Sequence, residues 1–196
     1  MTGSRKSRRA GTLSSPGLPE KELQGLLDRL WSTSTWDDSS LRTAERVLDY
    51  WAEFRQDPLG LGPPELTTFE AYAQQLIVVK GIQFSSICCH HLLPFFGEVH
   101  VGYLPHTRMV GLSKIPRVVE YFSRRPQTQE RMTANIADYL KKGLEAKAVG
   151  VVVQATHTCM VARGIRANGA SMLTSEMRGI FLTSDRPRAE FLELIR

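Results

Sequence analysis

Cysteine is scarce in this chain. Only three occur in 196 residues, at Cys88, Cys89 and Cys159. No C-x-x-C pair exists, which argues against a closed structural zinc site built from paired thiolates. No apolar run approaches the ~18 residues that a membrane-spanning helix needs, so no membrane partner is expected. Met1 to Pro19 contains no apolar core of the kind a secretory leader carries. The same stretch holds no acidic residue, the first being Glu20. Neither an internal repeat nor a low-complexity domain is evident.

That acid-free segment accounts for most of the charge. Arg5, Lys6, Arg8 and Arg9 supply four of the formal net charge of +5, leaving the rest of the chain close to neutral. A nucleic-acid surface would need basic residues clustered on the fold itself, so no nucleic-acid partner is expected. Residues 1–19, rich in Ser, Gly and Pro, read as a disordered basic tail. With 42% hydrophobic and 23% charged residues, the remainder suits one soluble globular domain with a sizeable core. Residues 20–66 read as an N-terminal helical segment and 67–196 as the main domain.

The scarce thiols are concentrated with imidazoles. Cys88-Cys89-His90-His91 and His157-Thr158-Cys159 hold every cysteine and three of the five histidines. Thiolate sulfur and imidazole nitrogen are zinc ligands. Cys88, His91 and Cys159 form the obvious set, and three protein ligands leave the fourth position of a catalytic zinc for water. His90 and His157 then stand beside it without ligating. Each residue alone has a plainer reading, as an inert buried thiol or a hydrogen-bonded imidazole. Their joint arrangement favours the metal and, with it, a reducing, cytoplasmic setting. His157 and Cys159, two apart, would share one face of a strand.

Periodicity places the elements. Leu23, Leu26, Leu27 and Leu30 mark a helix from Glu20 to Trp31, and Val47, Leu48, Trp51 and Phe54 a second from Leu41 to Phe54. Asp57 to Pro64, dense in Pro and Gly, reads as a loop. A short helix is expected from Thr67 or Thr68 to Gln75. Strands are expected over Leu76–Ser86, Phe96–Leu104, Ala148–Ala155 and Ser171–Leu182. Ser113 is the expected N-cap of a helix whose stripe is Ile115, Val118, Val119 and Phe122. A further helix is expected from Pro126, with Met132, Ile136, Tyr139, Leu140 and Leu144 inward. Arg186–Ile195 closes the chain as a helix. The order reads as α+β.

Four ordered blocks carry a resemblance. C-C-H-H-L-L-P-F-F-G-E-V-H-V-G-Y-L-P, G-L-S-K-I-P-R, R-P-Q-T-Q-E-R and H-T-C-M-V-A-R-G together closely resemble GTP cyclohydrolase I, from about Thr43 to the C-terminus. The resemblance implies an antiparallel four-stranded sheet with two helices on one face (the tunnelling type), units joined into a barrel, and a homodecamer with active sites between subunits. It implies zinc-dependent hydrolytic opening of the GTP imidazole ring at C8, with loss of formate and formation of 7,8-dihydroneopterin triphosphate, the entry to pterin and tetrahydrofolate synthesis. Cys88, His91 and Cys159 match the zinc ligands. His157 matches the acid that protonates the ring nitrogen, and His90 its assistant. Glu130, with Gln129 beside it, matches the guanine anchor. Lys114, Arg117 and Arg163 match triphosphate contacts, and Ser113 a contact near the ribose.

The chain also departs from the family pattern. Cys89 stands where Glu is usual. Thr43-Ala44-Glu45-Arg46 lacks the proline of T-P-x-R, and Asp49 replaces a basic residue. The Thr-rich segment before the last strand is reduced to Ser171-Met172-Leu173-Thr174-Ser175. The competing readings are a same-fold enzyme acting on another purine or pterin, and a non-catalytic homologue that keeps zinc for structure.

Overall fold

The computed structural model describes residues 19–31, 40, 42–57, 59–72 and 74–196. The expected tail and most of the Ser32–Ser40 break lie outside them. Two compact units divide at Glu53/Phe54. The first holds α1 (Glu20–Leu30) and α2 (Thr43–Ala52), both amphipathic, as the leucine and Val47/Leu48/Trp51 spacings require. Phe54 lies just past the end of α2.

The second unit is built on a sheet of five strands: β2 (Ile77–Cys88), β3 (Pro94–Leu104), β5 (Pro126–Gln127), β6 (Ala148–His157) and β7 (Met172–Gly179), in the order β5-β2-β3-β6-β7. The four long strands pair antiparallel. The expected count of four omits β5, a two-residue strand parallel to the end of β2. It is held there by side chains: the buried Gln127 amide donates to Ser86 Oγ at 3.2 Å and to the Phe122 carbonyl at 2.5 Å. The expected helix therefore begins three residues beyond Pro126. Thr128 caps α4 (Gln129–Leu144), its hydroxyl accepting from the Arg131 amide.

Both sheet faces are covered. Val99, Val101, Val149, Val151 and Val153 pack against Ile115, Val118 and Val119 of α3 (Lys114–Ser123) and Met132, Ile136 and Leu140 of α4. On the other face Ala148 and Val152 meet Phe181 and Phe191, from α6 (Ile180–Thr183) and α7 (Asp185–Ile195). Burial on both faces explains why Ala148–Ala155 is apolar without alternation. The facing pair Gly102 and Gly150 makes room for α7. A Cβ on Gly102 would lie 2.5 Å from Phe191 Cδ2, and one on Gly150 2.7 Å from Cε1.

Local expectations changed in four places. Thr68–Glu70 is a strand, β1, not a helix; it pairs with β4 (Arg108–Val110), and Arg108 donates to the Thr68 hydroxyl and carbonyl. Ser113 occupies the N-cap position of α3, but its side chain makes no cap bond, because its own backbone is already helical at φ −66°, ψ −16°. The last strand stops at Gly179, where the chain turns at φ 64° into α6. The strand carrying His157 ends at that residue, so Cys159 lies on the helical turn α5 (Thr158–Val161) and not further along an extended face.

Candidate active site

The site is assembled where β2, β5 and β6 end and β3 begins. β2 and β3 are joined by a tight turn around Cys88-Cys89-His90-His91. The Cys88 carbonyl accepts from Leu92 N at 2.8 Å, and the Cys88 amide donates to the Leu93 carbonyl at 2.9 Å. Leu92 adopts φ 54° to close it, a left-handed conformation uncommon away from Gly and Asn. The turn folds both imidazoles back over the thiol: Cys88 Sγ is 3.9 Å from Nδ1 of His90 and of His91. Cys88 itself is buried.

The second thiol arrives through α5. The Thr158 hydroxyl donates to the Pro94 carbonyl at 2.6 Å, pinning the first residue of α5 to the start of β3. This brings Cys159 to Cys88. Ligand atoms of Cys88, His91 and Cys159 lie within 4.8 Å of one another, the group among the described residues suited to a metal ion. His90, equally near Cys88, is not part of it. Bonds of about 2.0–2.3 Å to a tetrahedral zinc separate ligand atoms by somewhat under 4 Å, and the 3.9 Å Cys88–His91 spacing matches that. Two sulfurs and one imidazole are a donor set zinc accepts. Burial, followed by the neighbouring Cys88, raises the Cys159 thiol pKa, and Arg163 opposes the rise. A cation held between the sulfurs would reverse that preference by favouring both thiolates.

His157 ends β6, two residues before Cys159, with only 8% of its surface exposed. Its ring stacks on Phe95, its cross-strand partner, at 4.5 Å and 4°. Its Nε2 lies 2.8 Å from Gln129 Oε1. Burial lowers its pKa, and the charge of Glu130 partly offsets this.

The family model for GTP cyclohydrolase I matches residues 20–196. The chain belongs to the GTP cyclohydrolase I family. It is 46% identical over 156 residues to the GTP cyclohydrolase 1 of Aquifex aeolicus, covering 79% of this chain and 83% of that one. It is 48% identical over 155 residues to that of a Sulfurihydrogenibium species, covering 78% and 81%. Among solved structures, an archaeosine synthase QueF-like protein in the apo form aligns with 55% of this chain and 96% of its own, at 17% identity and a TM-score of 0.44. Family membership makes this chain an enzyme of the GTP cyclohydrolase I type.

The other candidate residues of this family member fall into two groups. Glu130, exposed in the first turn of α4, acts electrostatically on His157. Arg163, exposed just beyond α5, acts on Cys159. β5 brings Glu130 here, since Cys88 and Gln127 are neighbours across β2 and β5 and Cys89 N donates to the Gln127 carbonyl at 3.2 Å. Ser113, Lys114 and Arg117 form the second group, at the start of α3. Arg117 lines a separate cleft of about 430 Å³ between β2 and α3, with Ser85, Glu120 and Arg124. Gln129 is fully buried, its amide occupied by protein atoms. Phe95, Thr158 and Thr174 were not singled out in the sequence as site residues. Their contribution depends on strand register and hydrogen bonds across the sheet, which no local spacing encodes.

Proposed function

We propose that the chain is a zinc-dependent GTP cyclohydrolase I that opens the GTP imidazole ring hydrolytically at C8, releases formate and forms 7,8-dihydroneopterin triphosphate. The observation that carries this reading is the convergence of Cys88, His91 and Cys159 two residues from a buried histidine. Cys88, His91 and Cys159 would hold the zinc. Bound there, zinc supplies Lewis acidity and lowers the pKa of a coordinated water toward about 7.

The side chains do the rest. His157 protonates the ring nitrogen beside C8, making that carbon more electrophilic. Burial favours the readiness of its imidazolium to give up a proton. His90, exposed beside Cys88, assists proton transfer as the ring opens. Glu130 accepts from the N1–H and exocyclic amino group of guanine, two adjacent donors that one carboxylate can satisfy. Arg163 binds a phosphate from the Cys159 side.

Lys114 and Arg117 would bind the remaining phosphates, with Ser113 near the ribose. The N-terminal end of α3 favours anions. The separate cleft that Arg117 lines supports a site completed by a neighbouring subunit, within a homodecamer. On this reading residues 67–196 are the catalytic domain and 20–66 a helical segment, and the product feeds pterin or tetrahydrofolate synthesis. The test is metal analysis of the pure protein, with GTP turnover followed by formate release and pterin absorbance. His157→Ala should abolish turnover and retain the metal; loss of metal would make that histidine a ligand. Active monomers would rule out the shared site.

A further inference from the structure

The buried amide of Gln129 makes a set of hydrogen bonds whose direction can be derived. Its nitrogen lies 3.1 Å from the Val153 carbonyl, the Met172 carbonyl and the Thr174 hydroxyl. Carbonyl oxygens cannot donate, so the amide nitrogen must face them and the amide oxygen must face His157. Rotating the amide by half a turn would set its oxygen against two carbonyls, inside a core where an unpaired acceptor is costly.

Two threonines reinforce this order. The Thr133 hydroxyl donates to the Gln129 carbonyl at 2.8 Å and lies 2.7 Å from the Thr174 hydroxyl. Each hydroxyl has one proton. Thr133 spends its proton on Gln129, so Thr174 donates to Thr133. The Thr174 oxygen is then left to accept from the Gln129 amide. The circuit runs in one sense only.

His157 inherits that sense. Gln129 Oε1 can only accept, so the His157 nitrogen 2.8 Å away must carry a hydrogen. That nitrogen is Nε2. The neutral ring therefore has a bare Nδ1. Among the described residues Nδ1 makes no hydrogen bond, and the residue keeps 8% of its surface exposed. The stack on Phe95 prevents the ring from turning over freely.

We propose that Gln129 is a positioning residue, not a contact to substrate: with Thr133 and Thr174 it accepts the Nε2–H of His157, fixes the neutral ring as that tautomer, and leaves Nδ1 as the nitrogen that faces the substrate and carries the transferable proton of the imidazolium. This deepens the proposed function and rests on it for the identity of that substrate. It also gives Thr174 a purpose within the shortened Ser171–Ser175 segment.

The experiment reads the tautomer directly. Solid-state 15N NMR of the full-length, histidine-labelled protein, without substrate, distinguishes a protonated from a bare ring nitrogen; His157→Ala assigns the signals. The wild type should show His157 protonated at Nε2 and bare at Nδ1, and Gln129→Met should give mixed tautomers. Should Gln129→Met fail to fold, Gln129→Leu removes the same acceptor with a different apolar shape and should produce the same mixing. A wild-type ring protonated at Nδ1 and bare at Nε2, or a variant with an unchanged tautomer, overturns the proposal. With GTP, Gln129→Met should lower kcat by about 10-fold or more, a part of the roughly 10²–10⁴-fold that a positioned general acid contributes. KM and zinc content should hold, and Gln129→Glu, which still offers an acceptor, should recover part of the loss. Absent turnover in a wild type with the expected tautomer would reject the GTP reading and leave the role of Gln129 standing.

Discussion

Phe95 and His157 stand opposite each other on β3 and β6, with ring centroids 4.5 Å apart and planes within 4° of parallel. Phe95 is fully buried and also meets the edge of Phe84, at 5.8 Å and 75°. The sheet core thus holds the histidine by a flat, rigid surface on one side, while Gln129 fixes the ring's rotation about that surface. Position and orientation come from different elements, so the two can be perturbed separately.

Replacing Phe95 by Leu removes the stack and leaves a small void. A loss of about 1–2 kcal/mol is expected from the aromatic pairing and the cavity together. Phe84→Leu should cost a similar amount but leaves the Phe95–His157 stack in place. Thermal unfolding and GTP turnover of the two variants separate stability from positioning. Turnover should fall mainly in Phe95→Leu, and equal falls would mean the stack does not position His157.

The three-ligand reading of Cys88, His91 and Cys159 separates two adjacent histidines. Cys88→Ser, His91→Ala and Cys159→Ser should each reduce bound zinc to background. His90→Ala should retain it, as should Cys89→Ala, whose exposed thiol lies outside the group. Elemental analysis after gel filtration checks all five. Retained zinc in His91→Ala together with its loss in His90→Ala would exchange their roles.

The sequence made the chemistry more legible than the path of the backbone. Cys88 and His91 could be read from spacing because their geometry is local, closed by one turn. Cys159 could be recognised by residue type, yet its backbone was expected to stay extended. The bond from the Thr158 hydroxyl to the Pro94 carbonyl, 64 residues away, anchors the chain where it leaves the strand, and no neighbouring residue announces it. β5 was missed for a similar reason: two residues carry no periodicity, and Gln127 reaches Ser86 across 41 positions. Gln129 was read as substrate-facing from its place beside Glu130. Adjacent residues at a helix start point in different directions, and here one faces the core and the other solvent. The apolar stripes of α3 and α4 were readable because helical period and burial agree.

The packing of α7 on the second sheet face rests on two glycines. Gly102→Ala would bring a methyl carbon within 2.5 Å of the Phe191 ring. Phe191 is fully buried and stacks on Phe181 at 5.7 Å, so it has little room to retreat. Overpacking of this kind costs about 1–3 kcal/mol. Phe191→Leu should also destabilise on its own, yet combining it with Gly102→Ala should cost less than the sum of the two. Denaturant unfolding of both single variants and the double variant measures that coupling. Strict additivity would show that the clash is relieved elsewhere.

Glu130 allows two explanations that one substitution can distinguish. As the acidic residue in the first turn of α4, it stabilises the helix through the dipole, by about 0.3–1 kcal/mol. As a guanine anchor it supplies a charge-assisted pair of hydrogen bonds, each worth about 1.5–3 kcal/mol. Thr128 already caps the helix by accepting from Arg131 N, so the helix does not depend on Glu130. Glu130→Gln should therefore unfold within a few degrees of the wild type. The amide keeps one acceptor but turns a donor toward the donors of guanine. With GTP, kcat/KM should fall by about 10- to 100-fold, mostly through KM, because the anchor binds substrate and transition state alike. Zinc content should not change. A variant with normal KM and a lowered unfolding temperature would assign the carboxylate to the helix alone and leave guanine recognition to other groups.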